Sequence, residues 1–167
     1  MEGTFKEYLE LLKQRPEVAQ TAHSRLYNMI KSHGIEENEN GEKNYAFFND
    51  AIYGLEDSIE RLTEEYFHSA ARRLDVRKRI LLLMGPVSGG KSTIVNMLKR
   101  GLEQYSYTDD GAVYAIKGCP MQEDPLHLIP HHLREDFNEE YGIRVEGALS
   151  PLNTMRLEEE YDGWLKM

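Results

Sequence analysis

The sequence predicts an α/β fold: a parallel sheet with helices on it, preceded by an N-terminal helical segment. Three observations carry that expectation. Ile80-Leu81-Leu82-Leu83-Met84 is apolar throughout rather than alternating, as in a strand covered on both faces of a parallel sheet. A glycine-rich turn and an amphipathic helix follow it directly. Val113-Tyr114-Ala115-Ile116-Lys117 then reads as a second strand, and strand, helix, strand is the parallel crossover unit.

The bulk properties bound the class. The chain has 167 residues, one domain or one and a fraction, enough to bury roughly 70% of its unfolded surface. The longest strongly apolar run is Ile80–Met84, far short of the roughly 20 residues of a spanning helix. The first seven residues, Met1-Glu2-Gly3-Thr4-Phe5-Lys6-Glu7, are polar and acidic, unlike a secretory signal. Cys119 is the single cysteine, so one chain holds neither a disulfide nor a cysteine-built zinc site. These features predict a cytoplasmic protein that spans no membrane. The net charge of −9 argues against broad nucleic-acid binding. Residues 71–100 nevertheless carry eight Lys and Arg against Asp75 alone, a basic island that suits a small anion or a solvated surface.

In chain order, residues 4–14 and 17–31 read as two amphipathic helices. The first aligns Phe5, Tyr8, Leu9 and Leu12; the second aligns Val18, Ala22, Leu26 and Met29 or Ile30, each at three- and four-residue spacing. Residues 32–44 read as a polar, glycine-punctuated loop and as the internal boundary. They divide a helical segment (1–44) from the main domain (45–167). Tyr45, Phe47 and Phe48 suit core packing. Over 55–73 the stripe Leu55, Ile59, Leu62, Tyr66 and Ala70 predicts a helix, with Glu56, Asp57, Glu60, Glu64 and Glu65 largely outside it. Asp75–Arg79 links to the apolar run. The helix after the turn, about 91–103, places Ile94, Val95, Leu98 and Leu102 inward. Further helices are expected near 131–140 and 151–161, the latter opened by Ser150 as N-cap and Pro151 in the first turn.

Gly85-Pro86-Val87-Ser88-Gly89-Gly90-Lys91-Ser92 matches G-x-x-x-x-G-K-[ST] at every fixed position, and Thr93 follows. Average residue usage produces such a match in roughly one chain of this length in 150. Its position between a buried strand and a helix sharpens the signal. The glycines let the backbone turn tightly and approach a phosphate. Freed N–H groups and the helix dipole then favour an anion. Lys91 can reach the β- and γ-phosphates of ATP, and Ser92 can offer its hydroxyl to Mg2+. This is the signature of a P-loop NTPase.

A P-loop enzyme usually holds its magnesium through a second-strand carboxylate as well. Glu123-Asp124 and Glu135-Asp136 follow polar or mixed residues and do not fit that pattern. Two strands also make a small sheet, so the expectation is a partial domain, cut before the magnesium carboxylate. His127, His131 and His132 lie near Glu123, Asp124 and Glu135, a conceivable metal site, but Pro130 interrupts their register. Cys119 is either a small buried side chain or a nucleophile whose base cannot be placed. The motif set of eukaryotic protein kinases is absent.

With these residues on the page, the chain resembles the PrkA family. The resemblance rests on the basic run 72–79, the loop 85–92, Ala115-Ile116-Lys117-Gly118-Cys119-Pro120-Met121, Glu123–Pro130 and Leu149–Leu157. It implies an AAA+-like domain of a bacterial cytosolic protein, commonly described as a serine protein kinase with a kinase-like region further on. Some members resemble Lon-like ATP-dependent proteases and are linked to sporulation and stress. It also implies that Tyr53 and Gly54 border the adenine while Lys91 and Ser92 meet the phosphates. The expected function is ATP binding by a PrkA-type serine kinase. The alternatives are an ATPase motor of a Lon-like protease and a non-catalytic nucleotide-binding module. The expected partners are ATP and a protein substrate of unknown identity. A homo-oligomeric ring is a family expectation for the full-length protein, and the present piece alone is expected to be inactive.

Overall fold

The computed structural model describes residues 2–38, 41–49, 51–68, 81–86 and 89–160. They form two compact units. One joins the residues up to Ala19 with those from Val113 onward; the other spans Gln20–Ala112. The expected division at 44/45 falls inside a strand of the second unit.

In the first unit, α1 (Phe5–Gln14) starts on a reciprocal cap. Thr4 Oγ1 accepts the Glu7 N–H at 3.3 Å and Glu7 Oε2 accepts the Thr4 N–H at 2.6 Å, so two otherwise unpaired donors are satisfied together. The helix buries Leu12, as its spacing predicts, beside Val18, Leu126, Ile129, Phe137 and Ile143. Val18 sits in the short 3-10 turn Pro16–Ala19 rather than in a helix over 17–31. The helix is interrupted because Thr21 caps a fresh one, α2 (Ala22–Ser32), accepting the Ser24 N–H at 3.2 Å.

The second unit is built on α2. Met29 and Ile30 are fully buried with Tyr45, Phe48, Ile59, Leu62, Phe67 and Ile94, each worth roughly 1.5–3 kcal/mol in burial. Residues 32–44 are not a plain loop: β1 (Ile35–Glu37) pairs antiparallel with β2 (Lys43–Tyr45). Asn38 closes the hairpin, its backbone exchanging bonds with Glu42 and Gly41 and its Oδ1 accepting the Glu42 N–H at 2.9 Å, the local bonding that makes Asn a turn residue.

The helix expected over 55–73 is α3 (Glu56–Glu60) followed by a π-helical segment, Arg61–His68. Ala70 lies outside the described residues. Ile59 and Leu62 are buried as predicted, but Thr63 and Phe67 are buried too. Glu64, expected on the solvent side, is drawn to the edge of β2. There its carboxylate accepts from Lys43 Nζ, Tyr45 Oη and His68 Nδ1, each at 2.8 Å. The next helix, α4 (Lys91–Ser106), runs three residues past the predicted end and buries Ile94 and Gly101. Val95 is exposed, a correction to the inward set.

The predicted parallel sheet is not found among the described residues. Among the described residues the sheet is β1–β2 alone. Ile80 and the linker 75–79 lie outside the described residues. Residues 81–84 form no strand, with Leu82 71% and Met84 82% exposed. Residues 113–117 belong to the other unit and are assigned to no strand, 113–116 being irregular and Lys117 opening a turn. There the Ile116 N–H donates to the Glu123 carbonyl and the Cys119 N–H to the Ile116 carbonyl. An extended run becomes a strand only where a neighbour takes its N–H and C=O groups.

The first unit continues through α5 (Arg134–Tyr141), ended by Gly142, and α6 (Pro151–Glu160). Both lie where the sequence places them, although position 161 falls outside the described residues. Ser150 serves α6 as expected, its Oγ receiving the Asn153 N–H at 3.4 Å.

Candidate functional site

The glycine-rich turn delivers the chain into α4. Gly90 sits at the N-cap with φ of 75° and no side-chain cap, a left-handed conformation that glycine adopts without strain. Its carbonyl accepts the Ile94 N–H at 2.9 Å. The three preceding helical N–H groups, of Lys91, Ser92 and Thr93, have no intrahelical acceptor. Ser92 and Thr93 are exposed at this end. Gly89 donates its N–H to the Pro86 carbonyl at 3.2 Å, and a Cβ there would meet that oxygen at 3.0 Å. Lys91 Nζ donates to the carbonyls of Gly85, at 2.8 Å, and Pro86, so the ammonium lies across its own loop. Val87 and Ser88 lie outside the described residues.

Helix-start N–H groups without an intrahelical acceptor, positive dipole potential and an ammonium converge here, which is the chemistry of a phosphate site. For Mg2+ the described residues offer the Ser92 hydroxyl. They contain no group of three or more His, Cys, Asp or Glu placed to hold a metal ion.

Tyr53 and Gly54 precede α3 in the same unit. Tyr53 is 78% exposed, and the Gly54 N–H is held by Glu56 Oε1 at 3.0 Å. The next residue, Leu55, reaches the start of α4: a Cβ built on Gly90 would lie 3.8 Å from Leu55 Cδ1. Ile52 and Tyr53 also wall a cleft of about 230 Å³ that runs to β2 and α3.

The other sequence candidates resolve differently. His127 Nδ1 pairs with Glu123 Oε1 at 3.0 Å, while His131 and His132 are exposed in a separate 3-10 turn. Cys119 is buried, its Sγ facing Asn153 Nδ2 at 3.2 Å. The Glu123 network was not legible in advance. The buried Glu123 carboxylate accepts from the Ser150 N–H and Oγ–H, both at 2.7 Å, and from Asn153 Nδ2 at 2.6 Å, besides His127. Burial alone would raise its pKa, but the bonds from Ser150, His127 and Asn153 outweigh it and hold the carboxyl down at about 2. Its one local signal was the four-residue spacing of Glu123 and His127; Ser150 and Asn153 arrive from 27 and 30 residues away.

Comparison with known proteins adds to this geometry. The family model described as the PrkA AAA domain matches residues 3–167. A Bacillus subtilis (strain 168) protein named "ATP-dependent protease PrkA" is 74% identical over 162 residues, covering 97% of this chain and 26% of that protein. An Escherichia coli (strain K12) protein named "Serine/threonine kinase YeaG" is 34% identical over 116 residues, covering 65% of this chain and 17% of that protein. The chain thus spans about a quarter of the length of the first relative and less of the second. No solved structure matches. Among the described residues no helix is long and apolar enough to cross a membrane.

Proposed function

The chain belongs to the PrkA AAA domain family, and on that premise we propose that it binds magnesium-ATP as the P-loop segment of a PrkA-type serine protein kinase. The observation that carries the reading is the uncapped start of α4 behind Gly90, with the Lys91 ammonium lying over the loop. Residues 85–93 wrap the triphosphate, and the N–H groups at the helix start donate to its oxygens. Lys91 exchanges the Gly85 and Pro86 carbonyls for the β- and γ-phosphates. Carbonyl oxygens carry only partial charge, so a polyanion competes well for the ammonium. Ser92 turns its hydroxyl to Mg2+. That ion, when bound, neutralises charge developing on the phosphoryl oxygens. Tyr53 and Gly54 border the adenine. The protein substrate lies beyond what these residues define, and the resemblance to the PrkA family supports a cytoplasmic location.

The name of the Bacillus relative, a protease, favours a second reading in which the same loop drives an ATPase motor of a Lon-like protease. The two differ in the phosphoryl acceptor, a protein serine or water. Calorimetry with magnesium-ATP on this chain and on Lys91→Ala tests the common premise. Affinity should fall at least tenfold in the variant while its thermal midpoint stays put; equal affinity would sink the proposal. On the longer protein, transfer of γ-phosphate label to an added protein supports the kinase, and phosphate release without labelling supports the motor.

A further inference from the structure

In Arg61–His68 the amino-acid pattern and the winding disagree. The segment is π-helical over eight residues and continues directly from α3. π-helices occur mostly as single-turn bulges, so this one is long. At α-helical spacing Leu55, Ile59, Leu62 and Tyr66 form one stripe and Glu64 falls on the other side. The wider π turn instead buries Thr63 and Phe67 with Ile59 and Leu62, and leaves Tyr66 half-buried.

Thr63 bears the consequence. It is fully buried, and its hydroxyl has no hydrogen-bond partner among the described residues. A buried hydroxyl left unpaired destabilises the state that holds it. In an α-helix a threonine hydroxyl can bond the carbonyl four residues back, here that of Ile59. The α winding therefore offers a partner that the observed winding does not supply.

Glu64 opposes that pull. Its carboxylate accepts from Lys43 Nζ and Tyr45 Oη on β2 and from His68 Nδ1, each at 2.8 Å. The His68 ring in turn stacks on Tyr27 of α2, with centroids 4.5 Å apart and planes 3° from parallel. The segment is thus tied to β2 at its middle and to α2 at its end. An α winding turns Glu64 away from the buried face and breaks the bonds to β2.

We propose that Arg61–His68 is a two-register switch, a segment with both a π and an α winding. Glu64 on β2 holds the first, and the Thr63 hydroxyl favours the second. The change of register exchanges Phe67 for Tyr66 in the core and releases Lys43 and Tyr45, a repacking between two discrete states. It draws on no residue of the phosphate loop.

Nuclear magnetic resonance on the 167-residue chain tests it. Couplings across hydrogen bonds report whether each N–H in 61–68 meets the carbonyl five residues back, as in a π-helix, or four back. Saturation-transfer experiments measure a minor register in slow exchange. The parent should show the five-back pattern. Glu64→Ala should raise the ratio of α to π register about tenfold or more, and Thr63→Val added to it should lower that ratio about fivefold. Lys43→Met/Tyr45→Phe leaves the helix sequence intact and should repeat the first shift; it carries the test alone if Glu64→Ala does not fold. A four-back pattern in the parent, or no four-back register in the parent or any variant, overturns the proposal. So does melting of 61–68 in the variants, with couplings lost and amide exchange fast, because Glu64 would then hold the helix and not its register. A ratio that Thr63→Val leaves unchanged overturns it as well.

Discussion

At the scale of single residues, two groups do opposite things with the bonds they make. Lys91 holds two loop carbonyls, bonds that in the proposed function a phosphate replaces. Glu123 holds four donors inside the first unit, and nothing replaces them without exposing a buried charge. Its pKa of about 2 lies below the ordinary value of 4.5. A depressed carboxyl stabilises the fold above its unfolded pKa and loses that contribution as pH falls through its folded one. The contribution is about 3 kcal/mol at neutral pH, from 1.36 kcal/mol per pKa unit. Glu123→Gln should therefore destabilise the chain by about 2–3 kcal/mol at pH 7. Urea titrations should show the gap between parent and variant closing between about pH 5 and pH 2. A gap that stays constant with pH would mean the carboxylate contributes through shape alone.

At the scale of elements, close approach decides what periodicity does not. The exposed Val95 and buried Gly101 both lie on α4. A Cβ on Gly101 would meet Phe47 Cε2 at 2.7 Å and Met29 Sδ at 2.8 Å, so α4 lies on α2 with no room for a methyl group. Helix propensity favours alanine over glycine by about 1 kcal/mol, but overpacking costs about 1–3 kcal/mol. Gly101→Ala should lower the thermal midpoint, and a raised midpoint would show that the contact has slack. The π-helical segment makes a related point. The stripe Leu55, Ile59, Leu62 and Tyr66 was legible at three- and four-residue spacing. The burial of Thr63 and the capture of Glu64 by Lys43 and Tyr45 were not; the capture depends on a strand some twenty residues earlier.

At the scale of the whole molecule, the two compact units each carry their own core, and the apolar run 81–84, within the second unit, is not among the residues of that core. Leu82 and Met84 face solvent. Substitution of exposed positions usually changes stability by less than about 0.5 kcal/mol. Leu82→Gln and Met84→Gln should therefore leave the thermal midpoint of the 167-residue chain nearly where it was. A drop equivalent to 2 kcal/mol or more, on the order expected for a buried position, would mean that the run is a buried strand after all.

Much of the candidate site was legible in the sequence because the proposed chemistry is local. The roles proposed for Gly89, Gly90, Lys91 and Ser92 draw on backbone conformation, an uncapped helix start and a side chain of fixed reach, all set within a few residues. The helices α1, α4, α5 and α6 were legible for the same reason: their caps and stripes are short-range. What only the tertiary structure decided is where distant segments meet. An apolar run is a strand only if another backbone takes its hydrogen bonds, so Leu81–Met84 could be read as a strand and yet not pair. Glu123 becomes a buried anchor only when Ser150 and Asn153 arrive. Composition names the groups that can bond, and the fold decides which of them come within 3 Å.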